Sequence, residues 1–350
     1  MKKSLRWFPV VTIGVTATLL LAACDSASTG APDASDPSSS SSATDLERPA
    51  PTDVPEACTP TTGGSDGKLL IGMVGITTQG SFFGQVDQGM QDVADIAGVE
   101  LQLIDGKLDA QVQADAVDNL ITIGANAIII DPLNADALTP VIARAVEAGI
   151  PVVAFDGTIE GSADISTFVG ISNSDGGTQI GEALVDLTGG EGEVGEITAL
   201  NSTIQIERQE AFEDVVTAAG MTIGTVVDGQ NQAEDAQTAA ENLFTGSPDL
   251  TYVYATGQPA LTGAVAAARS QNATDRVQIV GWDLAAESAQ GLEDGFVKAV
   301  LQQDTYGMGH ETAKAAITVA CGGTVDDFIP VPTYVVTADN LDDYRYFLGE

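Results

Sequence analysis

The sequence predicts an α/β protein built as two open lobes around parallel sheets, and three observations carry that prediction. Short β-branched apolar runs alternate with longer stretches whose apolar residues recur at three- and four-residue spacing, the pattern of stacked βαβ units. The alternation runs through one half of the chain and restarts in the other. The length, 350 residues, with 44% hydrophobic but only 5% aromatic residues, suits two domains with aliphatic cores.

The first element lies outside both lobes. Lys2, Lys3 and Arg6 form a basic head, and 8–21 is an apolar run too short for an ordinary spanning helix, so residues 1–23 read as an export signal. The run ends in Leu21-Ala22-Ala23-Cys24, which resembles a bacterial lipobox. That resemblance implies a diacylglyceryl group on Cys24 and attachment to the outer face of the bacterial cell membrane, or its periplasmic side. An ordinary secretory signal cut after small residues is the competing reading. Residues 24–66 carry the serine run 38–42 with Pro49, Pro51 and Pro55 and almost no aliphatic content, so they read as a flexible tether. A coil of that length spans roughly 35 Å.

The first set of strands is expected at 69–74, 99–104, 127–130, 152–155 and 167–171, with helices at 82–96, 110–123 and 135–147 and Gly98, Gly124 and Gly149 where C-caps belong. The second set is expected at 195–200, 221–227, 250–254, 277–281 and 297–301, alternating with helices that start at Ile206, Glu234, Leu261 and Ala285. Beyond Cys24 two thiols remain, Cys58 and Cys321. An exported chain makes a disulfide between them the preferred reading, with two unpaired thiols as the alternative.

Composition excludes several classes of function. Lys plus Arg number 13 against 50 Asp plus Glu, a formal net charge of −37, which repels phosphate backbones and anionic lipid. One histidine, His310, leaves almost no material for a catalytic triad or a multi-histidine metal site, and it reads as a half-exposed residue of a helical stretch. Gly190-Glu191-Gly192-Glu193-Val194-Gly195 satisfies the dinucleotide fingerprint by letter. It follows a helix and leads into a strand, the reverse of the order that fingerprint needs. No cofactor and no metal are expected.

Open α/β sheets bind ligands beyond the carboxyl ends of their strands. Those positions hold Gly75 to Phe83, Asp156, a loop leading to Arg208, Thr256 to Pro259, Trp282-Asp283 and Gln302-Gln303. Carboxylates accept paired hydrogen bonds from neighbouring hydroxyls, Arg donates two, and aromatic faces cover the C–H patches of a sugar ring, which is chemistry for a neutral polyol. Each residue also has a plainer reading. At least one of Phe82 and Phe83 is expected in the core. Asp156 and Asp283 fit caps or turns, Arg208 fits a pair with Glu207 or Glu210 in an exposed helical turn, and Trp282 fits wall packing as well as ring stacking.

Val74-Gly75 with Ser81-Phe82-Phe83, Val153-Ala154-Phe155-Asp156, Glu207-Arg208-Gln209-Glu210-Ala211-Phe212 and Val280-Gly281-Trp282-Asp283 together resemble the periplasmic ribose-type sugar-binding proteins, from about Lys68 to the C-terminus. The resemblance implies the type I periplasmic binding protein fold, two Rossmann-like lobes joined by a three-crossover hinge. Residues 67–172 plus 304–331 would form the N-terminal lobe and 173–303 plus 332–350 the C-terminal lobe. Crossings would lie near 171–174, just after Gln303 and at 330–334. It further implies ligand contact by Phe82, Phe83, Asp156, Arg208, Trp282, Asp283 and Gln303, no enzymatic activity, an ABC permease as partner, and a monomer. Gly157 stands at an Arg position of that family, Gly80 and Gly257 at Asn positions, and Trp282 at a Phe position. These departures predict a larger pocket and a ligand other than ribose. A sugar-sensing receptor for a signalling kinase uses the same fold and is the alternative function. A secreted enzyme with Asp156 and Asp283 as paired carboxylates ranks behind both. A transcriptional repressor of related fold is set aside by the export signal and the lack of a basic DNA-binding module.

Overall fold

The computed structural model describes residues 48–60, 64, 67–159 and 165–348; the leader, Cys24 and the serine run lie outside them. In the first lobe the order is β1 (Leu70–Gly75), α1 (Ser81–Ala97), β2 (Glu100–Asp105), α2 (Ala110–Ile123), β3 (Ala127–Ile130), α3 (Ala135–Glu147), β4 (Val152–Phe155) and β5 (Thr167–Gly170). Strands β1, β3 and β4 are buried along their whole length because helices cover both faces of the sheet, which is why they read as continuous apolar runs. Helices α1 and α2 close on Gly98 and Gly124 in the left-handed conformation, where a side chain would be strained.

The second lobe repeats the plan with α4 (Asn173–Thr188), β6 (Glu193–Thr198), α5 (Thr203–Ala219), β7 (Thr222–Asp228), α6 (Ala233–Gly246), β8 (Tyr252–Ala255), α7 (Gln258–Ser270), β9 (Gln278–Trp282), α8 (Ala286–Glu293) and β10 (Val297–Gln303). Then come α9 (Thr305–Ala320), β11 (Phe328–Pro330), β12 (Thr333–Val336) and a 3-10 helix, Leu341–Leu348. The two sheets run β11-β5-β4-β3-β1-β2 and β12-β10-β9-β8-β6-β7, the same order twice. All pairings are parallel except β10 with β12.

The chain passes between the sheets three times: after β5 into α4, after β10 into α9, and between β11 and β12. Glycines set the closest helix contacts. A Cβ on Gly89 of α1 would lie 2.4 Å from the Tyr306 carbonyl oxygen of α9, and one on Gly177 of α4 would lie 2.4 Å from the Arg208 carbonyl oxygen of α5. One core cluster is continuous through both lobes, from Phe83 and Phe155 to Phe212, Tyr254 and Trp282.

Two expectations need correction here. Residues 48–60, assigned to the tether, instead lie against the first lobe. Val54, Ala57 and Cys58 pack on its core, Cys58 is joined to Cys321 with a Cα–Cα distance of 5.6 Å, and the Arg48 guanidinium pairs with Asp92 and sits over the Tyr306 ring. The apolar side chains and the cross-link hold what the Pro and Ser content argued against. His310 is buried rather than half-exposed, because α9 turns it toward α1, 3.8 Å from Asp92. Burial lowers its pKa, against the opposing pull of Asp92 and Asp304.

Candidate functional site

Equivalent strand ends of the two lobes converge on one cleft. Asp156 follows β4 and Asp283 follows β9, and their N–H groups donate to the neighbouring strands, to Val169 O and Leu301 O respectively. Both lie in the left-handed region, φ 56° and 58°, which few residues other than Gly, Asn and Asp adopt. Backbone strain of this kind gathers at binding sites.

Arg208 projects from α5 between them. Its Nη2 lies 3.2 Å from Asp156 Oδ1, its Nε donates to Asn173 Oδ1 at 2.8 Å, and the guanidinium lies 3.8 Å from the centroid of the Trp282 ring. Trp282 Nε1 in turn donates to the Tyr254 hydroxyl, which donates to the Arg208 carbonyl. The exposed pairing with Glu207 or Glu210 is therefore not the arrangement of Arg208, which is 3% exposed. Its salt bridge joins the second lobe to the first, and Ser81 Oγ donating to Leu284 O spans the same cleft. The lobes are closed on each other, and the inner chamber measures about 20 Å³, room for one water. Outside it the cleft opens to about 640 Å³.

Phe82, Phe83, Asp156, Arg208 and Asp283 line the inner chamber. The two Phe rings meet edge to face at 5.1 Å, and both are buried, so core and chamber wall are the same surface here. Trp282 and Gln303 are not among the lining residues. Trp282 is fully buried beneath Arg208, and Gln303 Nε2 donates to both Asp283 oxygens at 3.2 Å, which orients that carboxylate. Burial pushes the Asp283 carboxyl up to about 7 against the opposing pull of Arg208. It also raises Asp156, where desolvation outweighs the attraction of Arg208. Among the described residues no group of three or more His, Cys, Asp or Glu side chains is placed to hold a metal ion.

The enlarged pocket expected from Gly80, Gly157 and Gly257 does not form, because neighbouring side chains fill the space. A Cβ on Gly257 would lie 2.1 Å from Gln205 Nε2, one on Gly80 2.6 Å from Gln258 Oε1, and one on Gly157 3.0 Å from Ile204 and Pro132. Gln205 and Gln258 thus bring amides to the chamber from the first turns of α5 and α7. Both stand in strand-end stretches that the sequence marks, but neither was singled out as a site residue, because both helices were expected to start three residues later. Ser202, whose side chain caps Gln205 N, and Pro259 in the first turn of α7 were the available signals.

With this geometry in place, comparison with known proteins is decisive. The model of the periplasmic binding protein domain family matches residues 71–324. The chain belongs to that family. Its relatives place it among the ribose-type sugar-binding members. A D-ribose/D-allose-binding protein of Pseudomonas aeruginosa is 30% identical over 67% of this chain and 77% of its own length. The ribose import binding protein of Bacillus subtilis is 24% identical over 81% and 92%. Among solved structures, an ABC transporter solute-binding protein of Mycobacterium smegmatis with bound glycerol is 30% identical. Its TM-score is 0.73, with 79% of this chain and 96% of that one covered. A solute-binding protein of Bacillus halodurans with bound myo-inositol has TM-score 0.75 at 22% identity over 81% and 99%, a likeness of fold. The two-lobe α/β architecture of this family is the one described above, and its members matched here are binding proteins of transporters. No helix among the described residues is long and apolar enough to cross a membrane.

Proposed function

We propose that this chain is an extracytoplasmic solute-binding lipoprotein that closes its two lobes on a neutral sugar or polyol and delivers it to an ABC-type permease. The observation that carries the reading is the pair of strand-end aspartates, Asp156 and Asp283, facing one buried guanidinium with Phe82 and Phe83 beside them. Such a set donates and accepts hydrogen bonds in the pattern of vicinal hydroxyls while the rings cover C–H faces. A free carboxylate or phosphate on the ligand meets two buried acids and a net charge of −37. The protein acts as a receptor and not as an enzyme: Asp156 is engaged by Arg208 and Asp283 by Gln303, so neither stands free as an acid or base. Cys24 carries the lipid, and 24–47 links it to the segment held on the first lobe.

Thermal-shift screening against pentoses, hexoses and polyols tests the binding reading, since a ligand that binds only the folded state raises the melting temperature. At least one member of the panel is expected to do so, and a flat response across all of them would overturn it. The anchor is tested separately. Cys24→Ser should move the protein from the detergent to the aqueous phase on partitioning, and retention in the detergent phase would refute lipidation at that residue.

A further inference from the structure

We propose that the cleft takes a neutral glycoside of two rings, a disaccharide or a sugar linked to a cyclic polyol, with one ring in the inner chamber and the second in the outer cleft. This rests on the cleft being the sugar site and names the size of its ligand. Closure leaves the outer cleft open. Arg208 already reaches Asp156 and Ser81 already reaches Leu284, so the lobes are in contact around the inner chamber. The outer cleft still measures about 640 Å³. At ~30 Å³ for each water that is on the order of twenty waters, more than one sugar ring displaces. Closure on a single ring would cover the inner chamber and leave this volume to solvent. Asn231, Gln258 and Pro259 line both cavities, so a linked second ring passes directly from one to the other.

The outer cleft is built as the inner one is, from equivalent turns of the two lobes. Asp105 ends β2 and accepts from Lys107 N, and Asp228 ends β7 and accepts from Gln230 N, both at 2.9 Å. The turns bring Leu108 and Asn231 into the cleft wall with φ 57° and 59°, the left-handed conformation of Asp156 and Asp283. A bulky residue such as Leu adopts it only at a cost. Asn231 and Gln258, where the cavities join, are each 8% exposed. Gln205 Nε2 donates to Asn231 Oδ1, and Gln258 Nε2 donates to Thr262 Oγ1. That leaves Asn231 Nδ2 and Gln258 Oε1 without a partner among the described residues. One free donor and one free acceptor at the junction match a ring hydroxyl, which both donates and accepts, and polar groups left unmet there would weaken binding. Leu108, Pro259 and Leu348 supply apolar wall for ring C–H groups. Glu234, Asp235 and Glu287 also line the outer cleft, and no Lys or Arg among the described residues does, so the second ring is neutral.

The test is calorimetry on the full chain at neutral pH with two-ring compounds and their own single rings: maltose, cellobiose and trehalose against glucose, melibiose and lactose against glucose and galactose, xylobiose against xylose, and galactinol against galactose and myo-inositol. In at least one set the two-ring compound should bind ~10-fold or more tightly than either of its rings, a difference of about 1.4 kcal/mol. This comparison uses the wild-type chain and depends on no variant. Ala286→Trp is the steric check. Ala286 is exposed and lines the outer cleft but not the inner chamber, so the indole takes the place of the second ring without entering the core. It should weaken the two-ring compound at least ~10-fold and leave the single ring within about twofold. Single rings binding as tightly as the two-ring compound in every set would overturn the inference and leave the sugar reading intact. A two-ring preference untouched by Ala286→Trp would overturn the outer cleft as the seat of the second ring. Failure of every compound would overturn the sugar reading and this inference with it.

Discussion

Asp156 and Asp283 reach the cleft because each ends a central strand in the left-handed conformation, which turns the chain sharply and leaves the carboxylate over the sheet edge. Truncating a buried, charged hydrogen-bond partner typically costs about 2–5 kcal/mol, much of it from groups left unpaired. Asp156→Ala, Arg208→Ala and Asp283→Ala are each expected to weaken binding at least ~30-fold by calorimetry, the lower bound of that range. Glu207→Ala and His310→Ala should leave affinity unchanged. Wild-type affinity in both aspartate variants would reduce them to turn residues. Gln303→Ala is expected to weaken binding too, although Gln303 is outside the chamber wall, because Asp283 loses the amide that orients it.

The helices do the positioning. Pairs α1 with α9 and α4 with α5 cross at glycines, so their backbones approach within the reach of one carbonyl, and the first turns of α1 and α5 meet at the cleft. A Cβ on Gly309 would stand 2.2 Å from Val86 O, a backbone atom that can yield only if α1 moves. Gly309→Ala is therefore expected to cost about 1–3 kcal/mol of stability, the usual penalty of overpacking. Denaturant unfolding measures it, and an unchanged midpoint would show that the helix pair is looser than its geometry. The helices from 110 and 135 were legible from their apolar spacing, and their starts are fixed by Asp109 and Asn134, local caps whose side chains accept backbone N–H bonds.

In the molecule as a whole, Arg208 to Asp156 and Ser81 to Leu284 hold the cleft shut around a chamber of about 20 Å³. A sugar-sized ligand can enter only if the lobes part about the crossings after β5, after β10 and between β11 and β12. Small-angle scattering is expected to show a more extended particle without ligand than with a saturating one, and superimposable profiles would contradict hinge closure. The buried acids also set a pH dependence. Burial pushes Glu196 up to about 9, with Glu213 adding to it, Asp283 to about 7 and Asp87 to about 6. An acid with a raised folded pKa keeps a proton that the unfolded chain releases above about 4, so stability falls as pH rises from there through the folded value. His310, lowered by burial, works in the opposite sense below 6.5. The acids outnumber it, and the melting temperature should be higher at pH 5 than at pH 8. Glu196→Gln keeps a hydrogen-bonding proton without the charge and should raise the pH 8 value more than the pH 5 value. An equal shift at both would remove Glu196 from the linkage.

Strand and helix order, the repetition of the lobes and the strand-end address of Asp156 and Asp283 were legible in the sequence, because each follows from hydrophobic period and from local caps, which neighbours in the chain encode. The partners of those residues were not. Arg208 fits both a ligand contact and an exposed helical turn in the sequence, and only the closed lobes, which bury it against Asp156, 52 residues away in the chain, exclude the exposed turn. Gly80 and Gly257 read as lost side chains until Gln258 and Gln205 occupy the space from neighbouring helices. Residues 48–60 read as tether until their apolar side chains and the Cys58 cross-link find the back of the first lobe. Periodicity reports which face of an element is buried; which side chain fills a given volume, and which charge remains there unpaired, is decided by packing between segments distant in the chain.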